Sequence, residues 1–342
     1  MRVLSAADSV SPAIQRTRDL LFRPFRWGTY LKLGLVAIVT EGLSSNSNFN
    51  KHTDHSTGNG PMLNPPFDIT PVKIAAAVAA VLLAMLIGFF IAYLITRLRF
   101  AFFHCLATNT TEIGPGWHLY RDKAARFFWL NVAVGLCFIL VIAAIAIPFA
   151  AGFYRVFRTM PPGGHPDWGM LIALILPLIP IVFLIILSAI LTDIVMRDWM
   201  LPHYALEDAT AREAWSEVWH SITCEKRQFF VYVVLRLVLP FIALVGLFIL
   251  LVLPGAALVG AIAAAEYAMH SVFSDASGVS AIIGTLVQVF FGVVALGLGI
   301  LVSICLGGPL STATREYALV FYGGRYQPLG DLLYPPMQPP LQ

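Results

Sequence analysis

The stretch "RDWMLPHYALEDATAREAWSEVWHSI" (Arg197 to Ile222) separates two long apolar runs and resembles neither. Within it, "TARE" (Thr210 to Glu213) is a capping box, in which a Thr side chain and a Glu three residues on satisfy each other's backbone N–H. A helix is therefore predicted to start at Thr210. Ala211, Trp215, Val218, Trp219 and Ile222 then recur at helical spacing on one face, with Arg212, Glu213, Ser216, Glu217 and His220 on the other. An amphipathic helix with tryptophans on its apolar side lies in the headgroup plane or packs beneath a bundle. Trp199 and Pro202 mark the exit of the preceding run from the bilayer.

The flanking runs set the class. Charged residues are 12% of the 342-residue chain and hydrophobic ones 58%, against ~25% charged in soluble domains. So few charges cannot cover a water-facing surface. Several apolar runs reach the ~18 residues that span a bilayer core. The reading is an all-α polytopic bundle of six spans, roughly 28–43, 73–97, 128–150, 169–195, 229–253 and 281–306. Residues 1–27 form an amphipathic segment before it, and 307–342 a helix and Pro-rich tail after it. Lys and Arg sort by loop: six up to Lys32, five in 97–127, four in 197–228 and two in the tail. The alternate loops hold Lys51 and Lys73, then Arg155 and Arg158, then none in 254–280. By the positive-inside rule both termini are cytoplasmic. The first span, with Lys32 and Glu41 near its ends, is short enough to need snorkelling, and a re-entrant segment is its alternative. Residues 255–272 read as an outer in-plane helix, with a seventh span as the alternative. No cleavable signal is expected, because the first 27 residues lack an apolar core. No disulfide is expected from Cys105, Cys137, Cys224 and Cys305.

The opening segment has an echo. "RLRFAFFHCLATNTTEIGPGWHLYRDKAARFF" (97–128) also runs from span exit through Arg, aromatic, His, Thr and Trp to a basic cluster and a double Phe. His104 aligns with His203. A parallel duplication of span, cytoplasmic amphipathic helix and span follows, with partial copies at the chain ends. The opening "SPAIQRTRDLLFRPFRWGTYLKLGLVAI" and "DIVMRDWMLPHYALEDATAREAWSEVWH" resemble a group of bacterial six-span proteins. That group includes the membrane domain fused to some glycerophosphodiester phosphodiesterases, and uncharacterised integral membrane families. The resemblance implies a multi-pass fold in a bacterial inner membrane. It does not imply the phosphodiesterase reaction, since no region here is large enough for that barrel.

Candidate chemistry is sparse. His203 and Asp208 stand at the H-x4-D spacing of glycerolipid acyltransferases, where a His base steered by an Asp activates a hydroxyl. An interfacial His after a helix-ending Pro explains the same residues. "HTDH" (His52–His55) offers two imidazoles and a carboxylate to a metal, but in a Ser/Asn/Gly-rich stretch that fixes no ligand geometry, so no metal or other cofactor is expected. Asp193 and Arg197 make an i,i+4 pair, and an Asp193–Arg236 pair between helices is a second reading. Prolines in "ILPLIPIV" should break the fourth span. Ala295, Gly299, Ser303 and Gly307 form a stripe of small residues every four positions. Such a stripe suits close helix packing within the bundle or an oligomer seam. The tail after Gln327 reads as extended.

The functional expectation is a non-catalytic platform for lipid headgroups or a protein partner at the cytoplasmic face, with no nucleic acid bound. Its binding residues are Trp117, Arg121, Lys123, Trp199, Trp215 and Trp219. A small transporter built on the proline-broken spans, and a lipid-modifying enzyme using His203 and Asp208, are the rivals.

Overall fold

The computed structural model describes residues 3–42, 71–158, 168–273 and 279–335. Among them every regular element is helical. Near the N-terminus α1 (Val10–Phe22) precedes α2 (Trp27–Ala37), which continues as a π-helical turn, Ile38–Gly42. Two runs of long, short and long helix follow. The first is α3 (Pro71–Thr108), α4 (Ile113–Leu119) and α5 (Arg121–Arg158). After α6 (Trp168–Ile175), the second comprises α7 (Leu178–Ile194), a π-helical turn (Val195–Met200), α8 (Leu201–Leu206), α9 (Ala211–Cys224) and α10 (Lys226–Phe273). The chain closes with α11 (Val279–Gly323) and α12 (Gln327–Leu333).

Among the described residues, five helical segments are long and apolar enough to cross a membrane: Ile74–Thr108, Arg121–Val156, Gly169–Leu206, Lys226–Ile249 and Val289–Gly323. Their most apolar windows have mean hydropathy 2.5 to 3.2 and are almost bare of protein contacts. Glycines in them confirm the open spacing. A Cβ added at Gly88, Gly135, Gly246, Gly292 or Gly299 would meet nothing within 4 Å. The packed core sits instead at one end of the long helices, here called the base. It is built from Phe100, Phe102, Phe103, Phe127, Leu201, Tyr232, Phe321 and Leu329, with the short helices sealing it.

The repeated segments meet at this base. Lys123 Nζ donates to Ala205 O (2.8 Å), Arg126 pairs with Asp208, and the Phe127 and Tyr204 rings contact edge-on. The chain ends join them. Arg16 on α1 donates to Glu316 (3.0 Å), Leu333 O (3.1 Å) and Leu106 O (2.9 Å), tying α1 to α11, α12 and α3. Arg325 holds Glu225 at 2.7 Å and lies over the Phe321 ring.

Three expectations change. The segment 28–43 is not among the five membrane-length helices, since α2 and its π turn amount to 11 plus 5 residues. Glu41 does not snorkel; it is buried against Arg197 of the second π turn and Arg236 of α10. Residues 255–272 form no separate in-plane helix or span, because α10 runs unbroken through Pro254 to Phe273. Over Gln327–Leu333 the chain is helical rather than extended, because burying Leu329 and Leu333 outweighs the local Pro content. The break in the fourth span lies at Leu176–Pro177, between α6 and α7. The loops carrying "HTDH", and residues 336–342, lie outside the described residues.

The α9 start is as its capping box dictates. Thr210 N donates to Glu213 Oε2 (2.8 Å), and Glu213 N to Thr210 Oγ1 (3.4 Å). The Thr210 backbone N–H holds the Glu213 pKa below the usual value. A lowered folded-state pKa stabilises above the unfolded value and is lost as pH falls through the folded one. Thr210→Ala, which removes the hydroxyl that accepts from Glu213 N, should cost about 1 kcal/mol, as read from denaturation midpoints.

Candidate functional site

Where the apolar windows give way to the base, charged residues from separate helices converge. Asp198, fully buried in the second π turn, accepts from Tyr232 Oη (2.8 Å), Arg236 Nε (3.0 Å) and Arg315 Nη1 (2.8 Å). Glu41, in the first π turn, accepts from Arg197 at 2.7 Å and Arg236 at 3.2 Å. Arg197 also reaches Asp193 (2.8 Å) and Thr40 O (2.9 Å), and Arg99 donates to the same carbonyl at 3.2 Å. One network thus joins α2, α3, α7, α10 and α11. Its two buried acids, Glu41 and Asp198, come one from each π turn, and such turns concentrate at functional sites. Asp193 holds Arg197, while Arg236 goes to Asp198 and Glu41, so an Asp193–Arg236 pair is not what joins the helices.

The network stiffens the base from within. Outside it, α9 is seated by Ala214 and Val218, both buried, with Ala211 and Ile222 half-buried beside them. Trp215 and Trp219 lie at the edge of that face and project outward, 48% and 54% exposed. Their rings stack at 6.0 Å with an interplanar angle of 18°. Trp199 has the opposite fate. It is buried between Phe229 (4.8 Å, edge-on) and Tyr232, which leaves it no surface for lipid or partner. Trp117 is half-buried under the Arg97 guanidinium, 4.2 Å from its ring. Arg121 is exposed, and Lys123 is half-buried against Ala205 O and Asp208.

His203 and Asp208 do not form a dyad. His203 is buried, with Nε2 at 2.7 Å from Tyr322 Oη and Nδ1 at 3.4 Å from Glu207. Asp208 follows the end of α8 with φ 54°, at the surface, and its carboxylate pairs with Arg126 and Lys123. The chain turns left-handed there and carries Asp208 away from the ring. Burial first, and the Glu207 carboxylate second, raise the pKa of Tyr326, whose ring lies 4.1 Å from that of His203. Among the described residues no group of three His, Cys, Asp or Glu has a metal-binding arrangement. All four cysteines are free thiols.

Of the small-residue stripe, Gly307 packs on Ile38, while Gly299 and Ser303 face open space. Its neighbour, Gly308, packs backbone to backbone against Gly34 on α2.

Residues 4–332 match a family of unknown function, DUF7544. The chain belongs to that family. No curated protein and no solved structure matches it. The DUF7544 match takes in the whole ion network, the Trp215–Trp219 pair and α12 up to its penultimate residue. It brings no link to glycerophosphodiester phosphodiesterases or their membrane domain.

Proposed function

We propose that this protein is a non-catalytic membrane platform whose base faces the cytoplasm of a bacterial cell and binds phospholipid headgroups. The observation carrying this reading is the stacked pair Trp215 and Trp219, half exposed at the edge of a helix face that Ala214 and Val218 lock down. Exposed tryptophans on a seated helix cost apolar surface unless something covers them, and Trp prefers the headgroup layer. Arg212, Lys226 and Arg227 are exposed on the same segment and suit phosphate oxygens. The sorting of Lys and Arg between loops supports the orientation. The separation of His203 from Asp208 gives the acyltransferase-like reading no support.

The test is Trp215→Ala with Trp219→Ala in the full-length protein, purified in mild detergent. Neither ring belongs to the core, so the denaturation midpoint should stay at the wild-type value. Phospholipid retained per protein, measured by mass spectrometry, should fall roughly five- to tenfold, the scale of a lost aromatic anchor. Unchanged lipid retention would remove the proposal. Unchanged lipid together with loss of a co-purifying protein would replace the lipid by a protein partner.

A further inference from the structure

A second feature of the base lies away from α9. Between the α1–α2 turn and the α3–α4 loop is an open cleft of about 570 Å3. Arg23 and Arg26 line it from the first element, and Glu112, Thr110 and His104 from the second. Arg23 is neutralised by Asp19 at 3.4 Å, one turn back on α1. Arg26 and Glu112 line the same cleft with no ion pair among the described residues, to each other or to anything else. Both charges are therefore available to a ligand in that cleft.

The geometry points to a zwitterionic ligand: an aminophospholipid headgroup, with its phosphate at Arg26 and its primary ammonium at Glu112. A purely anionic headgroup would satisfy Arg26 but face the Glu112 carboxylate, and like charges at close range are unfavourable. A quaternary ammonium has no N–H to donate to Glu112, and the cleft lining has no Phe, Tyr or Trp to cage one. Phosphate accepts from guanidinium in a bidentate fork, and Thr110 supplies a further hydroxyl. Depth fits as well. Phe22, Phe25 and Trp27, adjoining the cleft in sequence, are exposed and packed on one another, with ring centroids 5.1 to 6.1 Å apart. Exposed aromatics of this kind sit at the membrane–water boundary. The inference rests on the platform reading for the source of the ligand, a bilayer lipid, but uses none of the α9 residues.

The experiment uses full-length protein in detergent and short-chain phosphatidylethanolamine, phosphatidylglycerol and phosphatidylcholine as calorimetric probes, with soluble O-phosphoethanolamine as a fourth. Phosphatidylethanolamine should bind roughly tenfold tighter than the other two lipids, the scale of one charge-assisted pair. Arg26→Gln should weaken it by about the same factor. Glu112→Gln should erase the preference over phosphatidylglycerol, by weakening phosphatidylethanolamine and, with the opposing carboxylate gone, strengthening phosphatidylglycerol. Both side chains are exposed, so neither variant threatens folding. O-phosphoethanolamine binding as tightly as the lipid would keep the headgroup chemistry and name a free phosphate ester as its source. Equal binding of phosphatidylethanolamine and phosphatidylglycerol by the wild type overturns the inference, as does indifference of that preference to Glu112→Gln. Trp215→Ala/Trp219→Ala should leave the cleft preference unchanged. A cleft without preference, in a protein whose Trp pair still retains lipid, sinks this inference and spares the platform. The converse result does the reverse.

Discussion

Asp198→Ala is expected to be the most damaging polar substitution in the protein, costing about 3–5 kcal/mol, as for removal of one partner from a buried ion pair. The carboxylate is fully buried and holds three donors, Tyr232, Arg236 and Arg315. Arg236 would keep Glu41 at 3.2 Å. Arg315, 3% exposed, has no second carboxylate in ion-pair range and would be left as an uncompensated buried cation. The loss should appear as a lower denaturation midpoint in detergent. Asp193→Ala is the matched control. Its carboxylate pairs with an equally buried arginine but is 44% exposed, and Arg197 keeps Glu41 at 2.7 Å. That change should cost about 0–1 kcal/mol, the range of partly solvated pairs. Converting Arg315 to Met in the Asp198→Ala background should recover part of the loss, because it removes the orphaned charge. An Asp198→Ala variant as stable as Asp193→Ala would mean that the network does not hold the helices together.

That network shows where reading the sequence stops. The helical class, the capped start at Thr210 and the break at Pro177 follow from local chemistry: hydropathy, a Thr/Glu spacing, a missing N–H. The pairing of Glu41, Asp198, Arg236 and Arg315 is a property of four separate elements, and a lone charge near the end of an apolar run carries no mark of its partner. Asp193 and Arg197 were legible as a pair because one helix turn joins them. Trp199, Trp215 and Trp219 look alike as residues of an amphipathic segment. What separates them is that α10 covers Trp199 through Phe229 and Tyr232, while nothing covers the far edge of α9. The cleft at Arg26 and Glu112 was out of reach for the same reason, since its walls are 86 residues apart in the chain, counted from their positions. Local rules wrote the helices; the assembly of the base decided which side chains remained available to bind.

The small-residue stripe makes the same point and leads to the second large effect. Gly308→Val is expected to cost about 3 kcal/mol or more, at or above the usual range for overpacking. A Cβ at Gly308 would lie 2.6 Å from the Gly34 Cα and 3.4 Å from its carbonyl oxygen. Backbone cannot rotate out of the way as a side chain can, so α2 and α11 would have to separate. Separation would stretch the 2.6 Å hydrogen bond from Tyr30 Oη to Cys305 O. It would also draw Glu41, at the end of α2, from its arginines, so the steric and electrostatic losses would add. Gly299→Val, nine residues earlier on the same helix by its numbering, meets nothing within 4 Å and should be nearly neutral. The comparison is read from denaturation midpoints and from protease release of the α1–α2 segment, which should accelerate only for Gly308→Val. If Gly299→Val proved the damaging one, the stripe from Ala295 to Gly307 would be packed against a surface that one chain does not provide. The open windows of the long helices would then be the contact face of a second copy, and lipid would have no claim to that face.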